Sequence, residues 1–262
     1  MEAFDYLKNY YESHDENVRL NNKRGNVEFL TTLRYIEKYL KKDDRILEIG
    51  AGAGHYSHHF ARNGYLVDAV ELIPHNIEIF KKNTEKNERV SIHEGNATDL
   101  SMYPDNTFDI TLSLGPMYHL FIKDDQKRAL SEAVRVTKPN GLIFVAYCMN
   151  EPSIIQAGFM RNLIHEEPFA SIEKETFHCF AAPEWIFTLY RTEDIFALTE
   201  NLPSERLHLV GTDLFTRYMA QTVDQMDENT YGLYLKYHYS ICERSDLIGI
   251  SNHVLDILKK KA

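Results

Sequence analysis

The residues best placed to do chemistry begin at Glu48-Ile49-Gly50-Ala51-Gly52-Ala53-Gly54. Glycines between an apolar run and a helical one permit positive φ and let a ligand lie against bare backbone. The carboxyl end of a strand is where open α/β sheets collect ligands. The spacing here is GxGxG, whereas a pyrophosphate at a helix N-terminus favours GxGxxG. Glu48, two positions before the first glycine, suits a ligand that carries an amino group and no phosphate. Glu71 follows Gly54 by 17 residues and can accept hydrogen bonds from both hydroxyls of a ribose. Farther on, Gly95-Asn96-Ala97-Thr98-Asp99 offers the Asn96 oxygen to an exocyclic amine and the Ala97 N–H to a ring nitrogen. Asp99 is expected only to cap a short turn. The loop Ser113-Leu114-Gly115-Pro116-Met117-Tyr118-His119-Leu120 carries the candidates for chemistry. Tyr118 could face a cation, and His119 has an ordinary pKa near 6.5, suited to taking a proton at neutral pH.

These residues need elements to hold them. Arg45–Ile49, Tyr65–Glu71, Val90–His93, Phe108–Ser113 and Leu142–Tyr147 read as strands. They alternate with helical stretches at His55–Asn63, Pro74 to about Lys86, and Asp124–Thr137, with Pro139-Asn140-Gly141 as a turn. Strands alternating with helices indicate a parallel sheet covered on both faces. Their nearly unbroken apolar character fits burial on both sides. A helix at Thr192–Asn201 and strands at Arg206–Val210 and His253–Leu258 resume the rhythm.

The whole of 1–262 therefore reads as one α/β domain. Its expected form is a Rossmann-like, seven-stranded, mostly parallel sheet, with helices on both faces and the last strand antiparallel. Residues 1–40 form a helical cover, with the aromatic Phe4–Tyr11 lying over the cleft. Residues 150–190 and 213–242 are insertions. The first is rich in large side chains, among them Phe159, Met160, Phe169, Phe177, Phe180, Trp185, Phe187 and Tyr190. It is the expected lid and acceptor pocket, although the same aromatics also suit a satellite core or a homodimer contact.

In this order the motifs resemble the class I S-adenosylmethionine (SAM)-dependent methyltransferases, specifically the bacterial small methyltransferases of the type-11/12 kind. ILEIGAGAGHYS at 46–57 resembles their first motif, AVEL at 69–72 their ribose-binding acid, and GNATDL at 95–100 their adenine loop. FDITLSLGPMYHL at 108–120 and RALSEAVRVTKPNGLIFVAY at 128–147 complete the set. The resemblance is firm over about 30–147 and loose elsewhere. It implies SAM as cofactor and S-adenosylhomocysteine as product. The implied cofactor-binding residues are Glu48, Gly50, Ala51, Gly52, Gly54, Tyr56, Glu71, Leu72, Asn96, Ala97 and Leu114, with Tyr118 and His119 as catalytic candidates. Asn96 departs from the family's usual Asp, but keeps an acceptor oxygen. The loop after the fourth strand lacks the Asn/Asp-Pro-Pro-aromatic motif of amide and exocyclic-amine methylation. It also lacks the Pro-Cys pair of cytosine C5 methylation. A small-molecule acceptor is the reading that remains.

Composition narrows the partners. The chain has 262 residues, with 29 Lys and Arg against 39 Asp and Glu, for a net charge of −10. A negative field forgoes the nonspecific affinity on which nucleic-acid binders rely. Lys259-Lys260-Lys261 is the one dense basic run and reads as a solvated tail. Cys148, Cys179 and Cys242 match no zinc or CxxC pattern. The start Met-Glu-Ala-Phe-Asp carries no basic-then-apolar leader, and no 18 apolar residues run together, so a cytoplasmic protein outside the membrane is expected. His55, His58 and His59 share a helical face, but no glutamate completes a zincin motif, and no metal is expected. Asp15–Leu20 and then Arg24 could supply a cation for a ligand carboxylate. The competing functions are an RNA or protein methyltransferase on the same fold, a nicotinamide oxidoreductase, and a noncatalytic SAM-binding protein.

Overall fold

The computed structural model describes residues 2–13, 22–179 and 181–262. Asp15–Leu20 and Phe180 lie outside them. Two helices come first, α1 (Ala3–Ser13) and α2 (Lys23–Tyr39), the latter capped by the Asn22 side chain accepting from the Gly25 N–H at 2.8 Å. The alternating half follows: β1 (Arg45–Ile49), α3 (His55–Arg62), β2 (Leu66–Glu71), α4 (Pro74–Asn83), β3 (Val90–Glu94), β4 (Phe108–Ser113), α5 (Lys123–Val136) and β5 (Thr137–Cys148). Beyond lie α6 (Asn150–Ser153), a π-helical turn at Ile154–Phe159, and short 3-10 turns at Phe169–Ser171 and Pro183–Trp185. Last come α7 (Thr192–Thr199), β6 (Ser204–Gly211), α8 (Ala220–Gln225), α9 (Glu228–Ile241) and β7 (His253–Lys260).

The strands form one seven-stranded sheet in the order β3-β2-β1-β4-β5-β7-β6. Neighbours from β3 through β5 run parallel, while β7 is antiparallel to both β5 and β6. This is the expected doubly covered sheet with its antiparallel last strand. Alternate residues of β1 feed opposite layers: Leu47 and Ile49 pack with Leu130 of α5 and Ile195 of α7, and Ile46 packs with Ile36 of α2 and Phe60 of α3. The chain leaves β1 toward β2 on one side and returns to β4 on the other. The ends of β1 and β4, paired at Ile49 and Ser113, therefore flank the crevice that such a switch of direction opens.

Several boundaries differ from the sequence reading. α4 stops at Asn83 because Thr84 turns extended, with ψ 125°. The segment 213–242 holds two helices; α8 ends before Met226, and Asp227 caps α9 by accepting from the Thr230 N–H at 2.9 Å. Pro139-Asn140-Gly141 sits inside β5 as a bulge. Pairing jumps from Phe108–Thr137 to Ile110–Leu142, and Asn140 takes φ 62° to accommodate the extra residues. β7 runs two residues past Leu258, to Lys260. All three cysteines are free thiols. Among the described residues no helix is long and apolar enough to cross a membrane.

Candidate active site

A cavity opens at the β1–β4 switch, with about 970 Å³ of space including its mouth. Its floor is the Glu48–Ala53 turn. Gly52 adopts φ 54°, and a Cβ there would project into empty space, so the backbone faces the cavity bare. Ala51, Tyr56, Leu72, Asn96, Ala97, Leu114, Tyr118 and His119 all line it, with Glu48, Gly50, Gly52 and Glu71. Gly54 is the one predicted cofactor residue that does not. It starts α3 at φ 87°, and a Cβ on it would lie 2.6 Å from both His58 and Phe80. Packing beneath the loop requires its glycine.

The two acids are buried, Glu48 at 2 % and Glu71 at 5 % exposure. Each is held by N–H and O–H donors. Ser57, in the first turn of α3, donates to Glu48 Oε2 from its backbone N–H at 2.9 Å and from its hydroxyl. Glu71 accepts from the Gly52 N–H at 2.8 Å, the Ile73 N–H at 2.9 Å and the Asn76 amide at 3.4 Å. Burial pushes Glu48 up to about 8, against the pull of the Ser57 bonds and reinforced by the nearby Glu71 charge. Burial also raises Glu71. Among the described residues no lysine or arginine lines the cavity. Ion pairs found elsewhere in the described residues leave both acids out.

The wall opposite is aromatic. Pro116–His119 forms a 3-10 turn, and the segment after Trp185 is stitched onto it. The Thr188 N–H donates to Tyr118 O at 2.7 Å, and Tyr190 Oη donates to Met117 O at 2.6 Å. Leu7 and Tyr11, one turn apart on α1, also line the cavity. The rings of Tyr11, Tyr118 and Phe187 stand 5.6, 4.8 and 5.3 Å from the His119 ring.

His119 is not the neutral-pH base that its residue type suggested. Its Nδ1 lies 2.9 Å from Ile186 O. A carbonyl only accepts, so Nδ1 carries the proton and Nε2 is the acceptor for the Tyr11 hydroxyl at 2.7 Å. Burial drives its pKa down to about 4, only partly offset by the Ile186 bond. Ile186, a β-branched residue, takes φ 69°, a strained conformation that persists where surrounding structure over-determines it. The Phe187 N–H bond to Trp185 O at 2.7 Å and the His119 bond to Ile186 O pin it there. Tyr118 donates its hydroxyl to Leu114 O at 2.9 Å, which leaves its ring as the part turned to the cavity.

Other expected partners are engaged elsewhere. Both lone-pair positions of Asn96 Oδ1 accept from Thr98, the N–H and the hydroxyl each at 3.0 Å, so that oxygen braces its own loop. Asp99 caps its turn through the Ser101 N–H at 3.0 Å. Arg24 pairs with Asp224 at 3.4 Å and does not line the cavity. The three helical histidines diverge. His55 lines the cavity, His58 bonds Glu88 at 2.5 Å, and His59 bonds Glu37 at 3.1 Å. Tyr11, Ser57, Ile186 and Phe187 were not singled out for these roles in the sequence. Only Ser57 carried a local signal, as the hydroxyl in the first helical turn after the glycines.

A second acidic cluster joins Glu28 of α2, Asp213 after β6 and His253 at the start of β7. His253 Nδ1 lies 3.0 Å from Asp213 Oδ2 and 3.3 Å from Glu28 Oε2, and Arg217 Nε is 3.6 Å from Asp213. Burial alone would lower His253, but the Glu28 and Asp213 carboxylates lift it to about 10. Burial would raise Asp213, but His253 and Arg217 bring it down to about 2. Two acids and two cations balance here. The charges of this knot are met within the protein.

Residues 47–145 match the family model described as "Methyltransferase domain". An uncharacterized methyltransferase of Schizosaccharomyces pombe is 34 % identical over 139 residues, covering 48 % of this chain and 46 % of its own length. An S-adenosyl-L-methionine-dependent Diels-Alderase of Talaromyces variabilis is 28 % identical over 106 residues, covering 39 % of this chain and 35 % of its own. The chain thus spans under half the length of these curated relatives. Among solved structures, a SAM-dependent methyltransferase from Methanosarcina mazei superposes with a TM-score of 0.57 at 18 % identity, over 87 % of this chain and 97 % of that one. The matched segment is thus similar to a methyltransferase domain, and the chain shares its fold with SAM-dependent methyltransferases of known structure.

Proposed function

We propose that this chain transfers a methyl group from SAM to a small-molecule acceptor. The observation that carries the reading is the pair of buried acids, Glu48 and Glu71, which no cation among the described residues counters beside bare glycine backbone. A cationic adenosyl ligand fits that charge, whereas a dinucleotide pyrophosphate would be repelled. Glu71 holds the ribose hydroxyls, Glu48 faces the amino group, and Gly50–Gly52 lie against the ligand. Leu72, Ala97 and Leu114 form the apolar walls of the nucleoside site.

Methyl transfer is an in-line displacement: the acceptor's lone pair bonds the methyl carbon as the carbon–sulfur bond breaks, its electrons return to sulfur, and S-adenosylhomocysteine remains. The chain's contribution is to exclude water and fix the approach. The ring of Tyr118 would face the cationic sulfonium. His119, neutral and held at both nitrogens, positions the Tyr11 hydroxyl and the Ile186–Phe187 segment. A protonated acceptor loses its proton to solvent rather than to His119, whose pKa of about 4 makes it a poor base at neutral pH.

Calorimetric titration with SAM, S-adenosylhomocysteine and NAD, repeated on Glu71→Ala, tests the reading. Micromolar binding of both adenosyl ligands, no NAD binding and a weakened variant are expected. NAD binding alone, or a folded chain that ignores SAM, would overturn it. SAM binding with no methyl loss to any acceptor would favour the non-transfer chemistry named for the Talaromyces relative.

A further inference from the structure

A second cavity lies beyond the aromatic wall, beneath the segment between β5 and α7, with about 790 Å³ of space including its mouth. Phe187 lines it and also stands 5.3 Å from the His119 ring and 6.0 Å from Tyr118, both of which line the first cavity, so the two cavities meet at these rings. Phe169 and Trp185 supply flat apolar walls. Its polar groups are few. Asn252 accepts on Oδ1 from the Gln156 amide at 3.0 Å, but its Nδ2 is buried with no hydrogen-bond partner. An unmade bond from a buried amide is costly, and a ligand oxygen there would satisfy it. Arg161 also lines the cavity. It has no ion-pair partner among the described residues, in a chain of net charge −10.

We propose that this cavity is the acceptor site and that it takes a small aromatic acid. The ring lies between Phe169 and Trp185, an accepting oxygen meets Asn252 Nδ2, and the anionic group meets Arg161. The assignment rests on the methyl-transfer reading of the neighbouring cavity. Aromatic walls select a flat ring, an orphaned N–H selects an acceptor, and an unpaired guanidinium selects a carboxylate.

Trp185 is the only tryptophan in the chain, so its fluorescence reports occupancy of this cavity directly. The full chain is titrated with 4-hydroxybenzoate, its neutral isostere 4-hydroxybenzyl alcohol and the cationic 4-hydroxybenzylamine, with SAM binding measured calorimetrically on the same samples. The acid is expected to change Trp185 emission saturably and to bind tighter than the alcohol, and the alcohol tighter than the amine. Asn252→Leu should weaken the acid about tenfold, and Arg161→Gln should erase its advantage over the alcohol, both with SAM binding kept within about twofold. Should Asn252→Leu fail to fold, Asn252→Asp keeps the shape and should reject the acid by charge. The proposal is overturned if a wild-type chain that binds SAM leaves Trp185 unchanged with the acid, if the amine binds tightest, or if the Asn252 variant binds the acid undiminished. A wild-type chain that binds no SAM overturns the methyl-transfer reading instead, and the fluorescence titration still decides the cavity.

Discussion

Two pairs of buried carboxylates sit near the same edge of the sheet and solve the same electrostatic problem in opposite ways. Glu28 and Asp213 meet His253 and Arg217 within the protein. Among the described residues Glu48 and Glu71 meet only neutral donors. Desolvating a charge is costly unless it is paired. Asp213 therefore keeps its charge, held at about 2, while Glu48 rises to about 8. A compensated pair stabilises the fold, and an uncompensated pair is completed by a cation from outside. The difference separates a structural site from a binding site without reference to motif.

The largest effect should fall on the compensated pair. Asp213→Ala leaves His253 and Arg217 without their shared partner and should cost about 3–5 kcal/mol of stability, read by urea unfolding. SAM affinity of the folded fraction should stay unchanged; a selective loss of SAM binding would break the contrast. Next comes Glu71→Ala, expected to weaken SAM about 100-fold through two lost charge-assisted hydrogen bonds, with little change in melting temperature. A variant that unfolds instead would place Glu71 with the structural acids.

Smaller, and dependent on pH, is the signature of Glu48. Its folded pKa of about 8 exceeds the ordinary 4.5, so the folded chain holds a proton that the unfolded chain has lost. Its contribution to stability is thus present below 4.5 and is lost as pH rises through about 8. A cationic ligand favours the ionised acid and releases that proton. SAM affinity should therefore climb with pH up to about 8, by at most about tenfold per unit, and Glu48→Gln should flatten the climb. The knot behaves oppositely at its two ends. Asp213's share is lost as pH falls from 3.8 through about 2, and His253's as pH rises from 6.5 through about 10. Smallest of all, a chelator or added zinc should leave the melting temperature unmoved, because His253 and Arg217 already neutralise the knot. A metal-dependent rise would show that Glu28, Asp213 and His253 accept an ion.

The strand–turn–helix core was legible because its signals are local. Phe108–Ser113 is a strand with the expected bounds, and the glycines that need positive φ announce the turn. The acids at 48 and 71 follow from their place at strand ends. Helix ends read less well: Thr84 and Met226 leave helical geometry without a Gly or Pro to mark it. Asn96 showed an acceptor oxygen, but its capture by Thr98 is a choice between competing bonds that residue type does not settle. Tyr11 was visible as part of an aromatic cover. Its register against His119, 108 residues away, was not.

The sequence by itself determined the sheet, the bare glycine turn and the two strand-end acids, since short-range sterics and periodicity act within a few residues. Tertiary structure alone decided which acids find cations, that burial takes His119 down to about 4, and that Asn252 and Trp185 share a second cavity. Those properties depend on solvent exclusion and on partners brought together from distant parts of the chain, and neither is a property of any local stretch.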